Sequence, residues 1–339
     1  MDLEAAVRTS CVRSSRMTVF LASAFLVLLI SLFNSSYSCP TAFESLSNGT
    51  GSNEGLNARL TRQIHTSASP LPIEGGGLTE LEFGYKAKDG PATWPNKFRW
   101  CSKNKQSPIN INLDSSEVAD EETIFFQNYN LIPQQISIVN NGKTINLAGT
   151  WNPEDRPFIE SSLLEDEYVF EALHFHWGRN ENEGSEHFIN GESYPLEMHL
   201  VHFKRSYRSF PRSVNYIDGL AVLSYVFEVQ QENNHHFNEI IEATNRIQNV
   251  KAQAELNPFS LHHVARSFHN DFVSYKGSLT TPPCNEIVTW FVSLKPLKIG
   301  VEQLQKLRRL KDDDGDLLVK NFRPVQPLHG REILFVPKY

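Results

Sequence analysis

The chain reads as a mainly β protein with a few short helices, folded as one domain from about residue 80 to the C-terminus. Three observations predict this. Short segments of alternating apolar and polar residues recur, separated by Pro, Gly, Asn and Asp. Helical periodicity is confined to two stretches, 237–247 and 301–310. After residue 79 no second linker interrupts the pattern. The alternation predicts strands at Ile136–Val139, Tyr168–Trp177, Leu196–Phe203, Leu220–Phe227 and Ile287–Leu294.

The N-terminal region is set apart by composition. Arg8, Arg13 and Arg16 precede an apolar run from Met17 to Phe33, and the small residues Ser36 and Ser38 flank Tyr37 just before Cys39. Residues 1–38 therefore read as a secretory signal peptide or an uncleaved signal anchor. The run has 17 residues, short of the ~20 that span a bilayer, so both readings stand, and a membrane association is expected only if the segment stays as an anchor. Residues 39–79 are rich in Ser, Thr, Asn and Gly and read as a disordered linker. Asn48-Gly49-Thr50 is a glycosylation sequon there; Asn34 lies too near the signal. No apolar tail precedes Tyr339, so no C-terminal lipid or helical anchor is expected.

Composition excludes some functions. Lys+Arg 32 against Asp+Glu 39 gives a net charge of −7, which argues against nucleic-acid binding by bulk charge. Four Cys in 339 residues are too few for a disulfide-dense scaffold. The acidic run Asp312-Asp313-Asp314-Gly315-Asp316 misses the calcium-loop register and reads as a solvated turn.

The chemistry lies in the histidines. In the segment Leu173-His174-Phe175-His176-Trp177, strand alternation places His174 and His176 on one face and the apolar residues on the other. In the segment Leu196–Phe203, Glu197, His199 and Val201 share a face. If the two strands are antiparallel neighbours, His199 sits beside the first pair. Three neutral imidazoles suit Zn2+ in a catalytic site with one open position. A pair of strand histidines can equally be structural, and His202, His235, His236, His262, His263 and His269 read as structural or surface residues because no second ligand spacing recurs.

Further segments decide between these. Gly184-Ser185-Glu186-His187, Tyr275-Lys276-Gly277-Ser278-Leu279-Thr280-Thr281-Pro282-Pro283-Cys284 and Val288-Thr289-Trp290 follow in order. Phe83-Gly84-Tyr85, Gln106-Ser107-Pro108-Ile109-Asn110, Asp218-Gly219-Leu220 and Asn321-Phe322-Arg323-Pro324 complete the set. With these the chain, from about Phe83 onward, resembles the α-class carbonic anhydrases. The resemblance implies a large, mostly antiparallel, twisted central sheet and reversible hydration of CO2 by a zinc-bound hydroxide. It implies His174, His176 and His199 as zinc ligands, with Thr280 accepting the hydroxide's hydrogen bond and passing its own proton to Glu186. Val201, Val222, Leu279, Thr280, Thr281, Val288 and Trp290 match the substrate pocket, whose apolar wall suits an uncharged molecule without donors. Glu197 matches the carboxylate that orients a ligand imidazole.

The resemblance also exposes two departures. Ala172 stands where the family usually carries Gln, and cannot accept a hydrogen bond from His174. Lys143 stands where fast members carry a His proton shuttle. An unperturbed Lys titrates about 3 units above neutral pH, a mismatch of about 4 kcal/mol, so moderate turnover is expected. Tyr85, Asn141 and Asn146 match residues that order the shuttle water. Cys101 and Cys284 match a disulfide of secreted and membrane-bound members, which implies a secreted or extracellular chain. Nothing in the sequence points to a protein partner. The alternatives are a non-catalytic extracellular binding module of the same fold, favoured by Ala172 and Lys143, and a zinc esterase or other hydrolase sharing the nucleophile.

Overall fold

Strand-forming segments of the chain pair into one dominant sheet in the computed structural model, which describes residues 82–119 and 122–338. The signal or anchor segment, the linker, Asn48 and Cys39 lie outside the described residues. In chain order the strands are β1 Asn110–Ile111, β2 Glu117–Val118, β3 Ile124–Gln127, β4 Gln135–Asn140, β5 Ile145–Thr150, β6 Phe158–Ser161 and β7 Tyr168–Trp177. There follow β8 Phe188–Ile189, β9 Leu196–Lys204, β10 Leu220–Gln230, β11 Gln253–Leu256, β12 Phe272–Gly277, β13 Val288–Gly300 and β14 Leu334–Val336.

Among the described residues the main sheet has 12 strands and runs β11-β4-β5-β7-β9-β10-β13-β12-β14-β2, with β6 pairing β7 and β3 pairing β6 off that path. Most pairings are antiparallel; β10 with β13 and β14 with β2 are parallel. Four of the five segments expected from alternation lie within strands, the fifth begins one residue before β13, and Tyr168–Trp177 has the expected bounds. Both helical stretches are shorter than expected. The first is a 3-10 turn His235–Phe237 running into helix Asn238–Ala243, and the second is helix Val301–Leu307.

Register places the site. His174 of β7 lies opposite His199 of β9 and opposite Asn146 of β5, while His199 lies opposite Ser224 of β10. The next row on the same face is Ala172, Val201, Val222 and Trp290. Side chains alternate faces, so β5, β7, β9 and β10 present a polar row beside a largely apolar one carried by β7, β9, β10 and β13. The other face is covered by a core containing Leu173, Phe175, Trp177, Leu196, Met198, Leu200, Leu223 and Phe227. Such burial supplies roughly 1.5–3 kcal/mol per large apolar side chain and pins the register, because a one-residue slip would bury the histidines on the wrong side.

The acidic run is a turn, closed by the bridge Lys311↔Leu317, but it is more than a solvated one. Lys86 Nζ lies 2.7, 2.8 and 2.6 Å from carboxylate oxygens of Asp312, Asp314 and Asp316. Lys88 pairs with Asp314, and Lys143 with Asp313. The partners come from more than 160 positions earlier in the chain, which local sequence cannot show. Among the described residues no helix is long and apolar enough to cross a membrane.

Candidate metal centre

Ring nitrogens of His174, His176 and His199 lie within 4.8 Å of one another. Hydrogen bonds fix which nitrogen of two rings faces the centre. His199 Nε2 is 2.6 Å from Glu197 Oε1, so Nδ1 is left to face the others. His176 Nδ1 is 2.8 Å from the Asn321 carbonyl, and its Nε2 is buried with no hydrogen-bond partner. The His174 ring makes no hydrogen bond among the described residues; Ala172, two residues before it, is 2% exposed and faces Val201. Burial pushes all three imidazoles below their usual range, His176 to about 3. Neutral rings converging on a buried, unsatisfied nitrogen are what a zinc ion requires, and this donor set fits one.

Glu197 holds the centre in place. Its Oε2 accepts the backbone N–H groups of Glu186 and His187 at 2.7 and 2.8 Å. Its Oε1 meets His187 Nδ1, His199 Nε2 and Ser224 Oγ at 2.6–2.7 Å. Burial alone would raise its pKa, but electrostatic attraction to, and hydrogen bonds from, the His187 and His199 rings outweigh that and hold it well below the usual range. His187 Nε2 continues to the Tyr275 hydroxyl at 2.7 Å, and that hydroxyl lies 2.9 Å from Ser107 Oγ. The loop reaches this position because Gly184 (φ +151°) runs against the residue that leads into β9, where a Cβ would lie 2.0 Å from the Pro195 carbonyl.

Glu186 is fully buried, and its Oε1 accepts the Arg323 N–H at 2.8 Å. Burial first, and the nearby Glu197 charge second, push its carboxyl well above the usual range; the Thr280 hydroxyl and Arg323 act against this. Thr280 thus faces Glu186, while Glu186 Oε2 has no partner in full hydrogen-bond geometry. Val201, Val222, Val288 and Trp290 belong to one buried cluster with Leu279 packed on it. The Trp290 ring lies 4.8 Å from the His199 ring. Thr281 is half-buried, and its carbonyl accepts the Cys284 N–H. A disulfide joins Cys101 to Cys284, and the Gln106 amide donates to the Cys284 carbonyl at 3.2 Å, so the loop carrying Thr280 is tied at its far end.

The remaining candidates are distributed around the centre. Asn146 shares the face of His174. Asn141 Oδ1 accepts the backbone N–H groups of Lys143 and Thr144, so its carbonyl shapes the turn rather than facing solvent. Tyr85 packs edge-on against Phe83 and Trp94, and burial, with the Glu186 charge, raises its hydroxyl pKa well above the ordinary value. Lys143 ion-pairs with Asp313 and places Nζ 5.3 Å from the Phe83 ring centre.

Sequence reasoning gave no role to His187, Ser224, Tyr275 or Asn321. Ser224 carried a signal, a polar residue on the inward face of an otherwise apolar strand. Asn321 is a hub: besides its carbonyl on His176, its side chain bonds Trp177 N, Lys143 O and Phe175 O. No local pattern marks it.

Residues 89–336 match the family model of the eukaryotic-type carbonic anhydrases. The chain is 36% identical over 259 residues to carbonic anhydrase 7 of Mus musculus, covering 74% of this chain and 96% of that protein. It is 34% identical over 259 residues to a protein named putative carbonic anhydrase 5 of Caenorhabditis elegans, covering 75% and 82%. It is 31% identical over 255 residues to carbonic anhydrase 3 of Bos taurus, covering 74% and 96%. The chain belongs to the α-class, eukaryotic-type carbonic anhydrases. The reaction of that family is the reversible hydration of carbon dioxide, and the fold described above is the one expected from the resemblance.

Proposed function

We propose that this chain is an active carbonic anhydrase that holds Zn2+ on His174, His176 and His199. The observation that carries this is the convergence of three neutral imidazoles, one with an orphaned buried Nε2, beside Thr280 and Glu186. Zinc bound there would act as a Lewis acid that lowers the pKa of water and so supplies a nucleophile. Thr280 Oγ1, with its proton directed at Glu186, presents a lone pair to the donor O–H of that nucleophile and so orients it. Val201, Val222, Leu279, Val288 and Trp290 form a dry wall against which CO2 rests, with Thr281 at its edge. Glu197 holds the His199 ring and, through its negative charge, raises the ring's basicity.

Lys143 is a slow proton carrier in this reading, because its ammonium is held by Asp313, and turnover is limited by proton release. Tyr85 and Asn146 line the proton path; Asn141 serves it by setting the turn that carries Lys143. The Cys101–Cys284 disulfide and the apolar N-terminal segment support an extracellular or secretory location, with Asn48 as a glycosylation acceptor.

The test is stopped-flow CO2 hydration on the full chain, with zinc content measured on the same sample. One zinc per chain with turnover improved by imidazole is expected. Full zinc without turnover would instead establish a binding module, a reading that the lack of a His174 partner at Ala172 favours.

A further inference from the structure

A second group of imidazoles lies on the other side of the sheet. His235 and His236 sit in the 3-10 turn His235–Phe237, and His263 sits in helix Leu261–Val264. Both elements dock on the core opposite the metal centre through Phe237, Leu261 and Val264. The Phe237 ring packs 6.5 Å from Phe175, which points away from His174 and His176. His236 is half-buried and His263 exposed. Their Nδ1 atoms lie 3.3 Å apart, with ring planes at 67°.

We propose that His236 and His263 form a second binding site for a borderline divalent transition metal ion, Zn2+ or Cu2+, clamping the 3-10 turn to the helix. Two imidazole nitrogens bound tetrahedrally at Zn–N lengths of about 2.0–2.1 Å stand about 3.3–3.4 Å apart, which is the separation found here without an ion. An N–H···N hydrogen bond between the two rings holds them at this separation, and a bound ion would displace that one proton and take both lone pairs. Burial and neighbouring charge lower the pKa of both rings, which keeps them neutral and able to ligate. The His235 ring, 4.0 Å from that of His236, places a further imidazole at the rim. Arg266 is the adverse group, a positive charge felt by His236. Cu2+ should bind more tightly than Zn2+. The sequence carries both doublets, His235-His236 and His262-His263, but only the fold brings one member of each together.

The experiment is a metal titration of the full chain with Cu2+, and separately with Zn2+, following bound metal per chain. The wild type should hold one ion more than the His236→Gln/His263→Gln double variant, with CO2 hydration equal in the two. Arg266→Gln should bind the extra ion several-fold more tightly. Equal metal content in wild type and double variant would overturn the proposal, whether both hold the extra ion or neither does. The quantity read is a difference, so it does not depend on occupancy of the first centre.

Discussion

Glu197 accepts from five partners while wholly buried, and two of them are imidazoles. A charge in that position is retained only because it is fully paired. Glu197→Gln preserves size but removes the charge that raises His199 basicity and leaves donors facing an amide. Zinc affinity should fall by roughly 10–100-fold, read by competition with a chelator. Ala172→Gln works in the opposite sense by offering His174 an acceptor, and should slow zinc release by up to about 10-fold on the same scale. Lys143→His replaces an ammonium held by Asp313 with a group that titrates near neutral pH. Turnover in weak buffer should rise, and added imidazole should then help the variant less than the wild type. An unchanged rate would show that proton transfer does not limit this enzyme.

The loop from Ser278 to Glu286 is the element most exposed to disturbance, since it carries Thr280 yet has little regular structure. It is held by Leu279 N on the Asn285 carbonyl, Ser278 N on Ser107 Oγ and the disulfide. The disulfide closes 183 positions of sequence, for which chain entropy gives about 5 kcal/mol as an upper figure. Replacing both cysteines with serine should lower stability by about 2–5 kcal/mol in a urea titration. Turnover should fall by more than zinc content does, because the metal ligands lie on β7 and β9 while Thr280 lies on the loop.

At the scale of the whole molecule, acid sensitivity follows from buried neutral histidines. His202 Nε2 lies 2.6 Å from the Tyr129 hydroxyl and its Nδ1 3.0 Å from the Leu200 carbonyl. Burial pushes its pKa down to about 3. As pH falls below about 6.5 the unfolded chain takes up this proton first. Stability from His202 is therefore complete above that pH and drains away as pH falls toward 3, by up to about 5 kcal/mol. His202→Phe should flatten this acid limb in stability measured against pH, even though an unpaired Tyr129 hydroxyl lowers stability at every pH. An unchanged slope would assign the acid loss to other groups.

Much of this protein is determined by sequence alone, because strand geometry is local. Period-two alternation placed His174 and His176 on one face and Leu173, Phe175 and Trp177 on the other, and marked segments of β4, β7, β9, β10 and β13, though not β5 or β12. The motifs around Glu186 and Thr280 carried the family resemblance. Tertiary structure decided what depends on neighbours distant in sequence. The opposition of His174 to His199 is a matter of register between β7 and β9. The tasks of Asn321, Ser224 and His187 depend on atoms up to 178 positions away. Lysines brought in from far upstream turned a solvated acidic turn into a paired one, and the fold alone aimed His236 at His263. Local dihedral and burial preferences are written residue by residue, whereas hydrogen bonds and ion pairs across the sheet exist only once the chain has closed on itself.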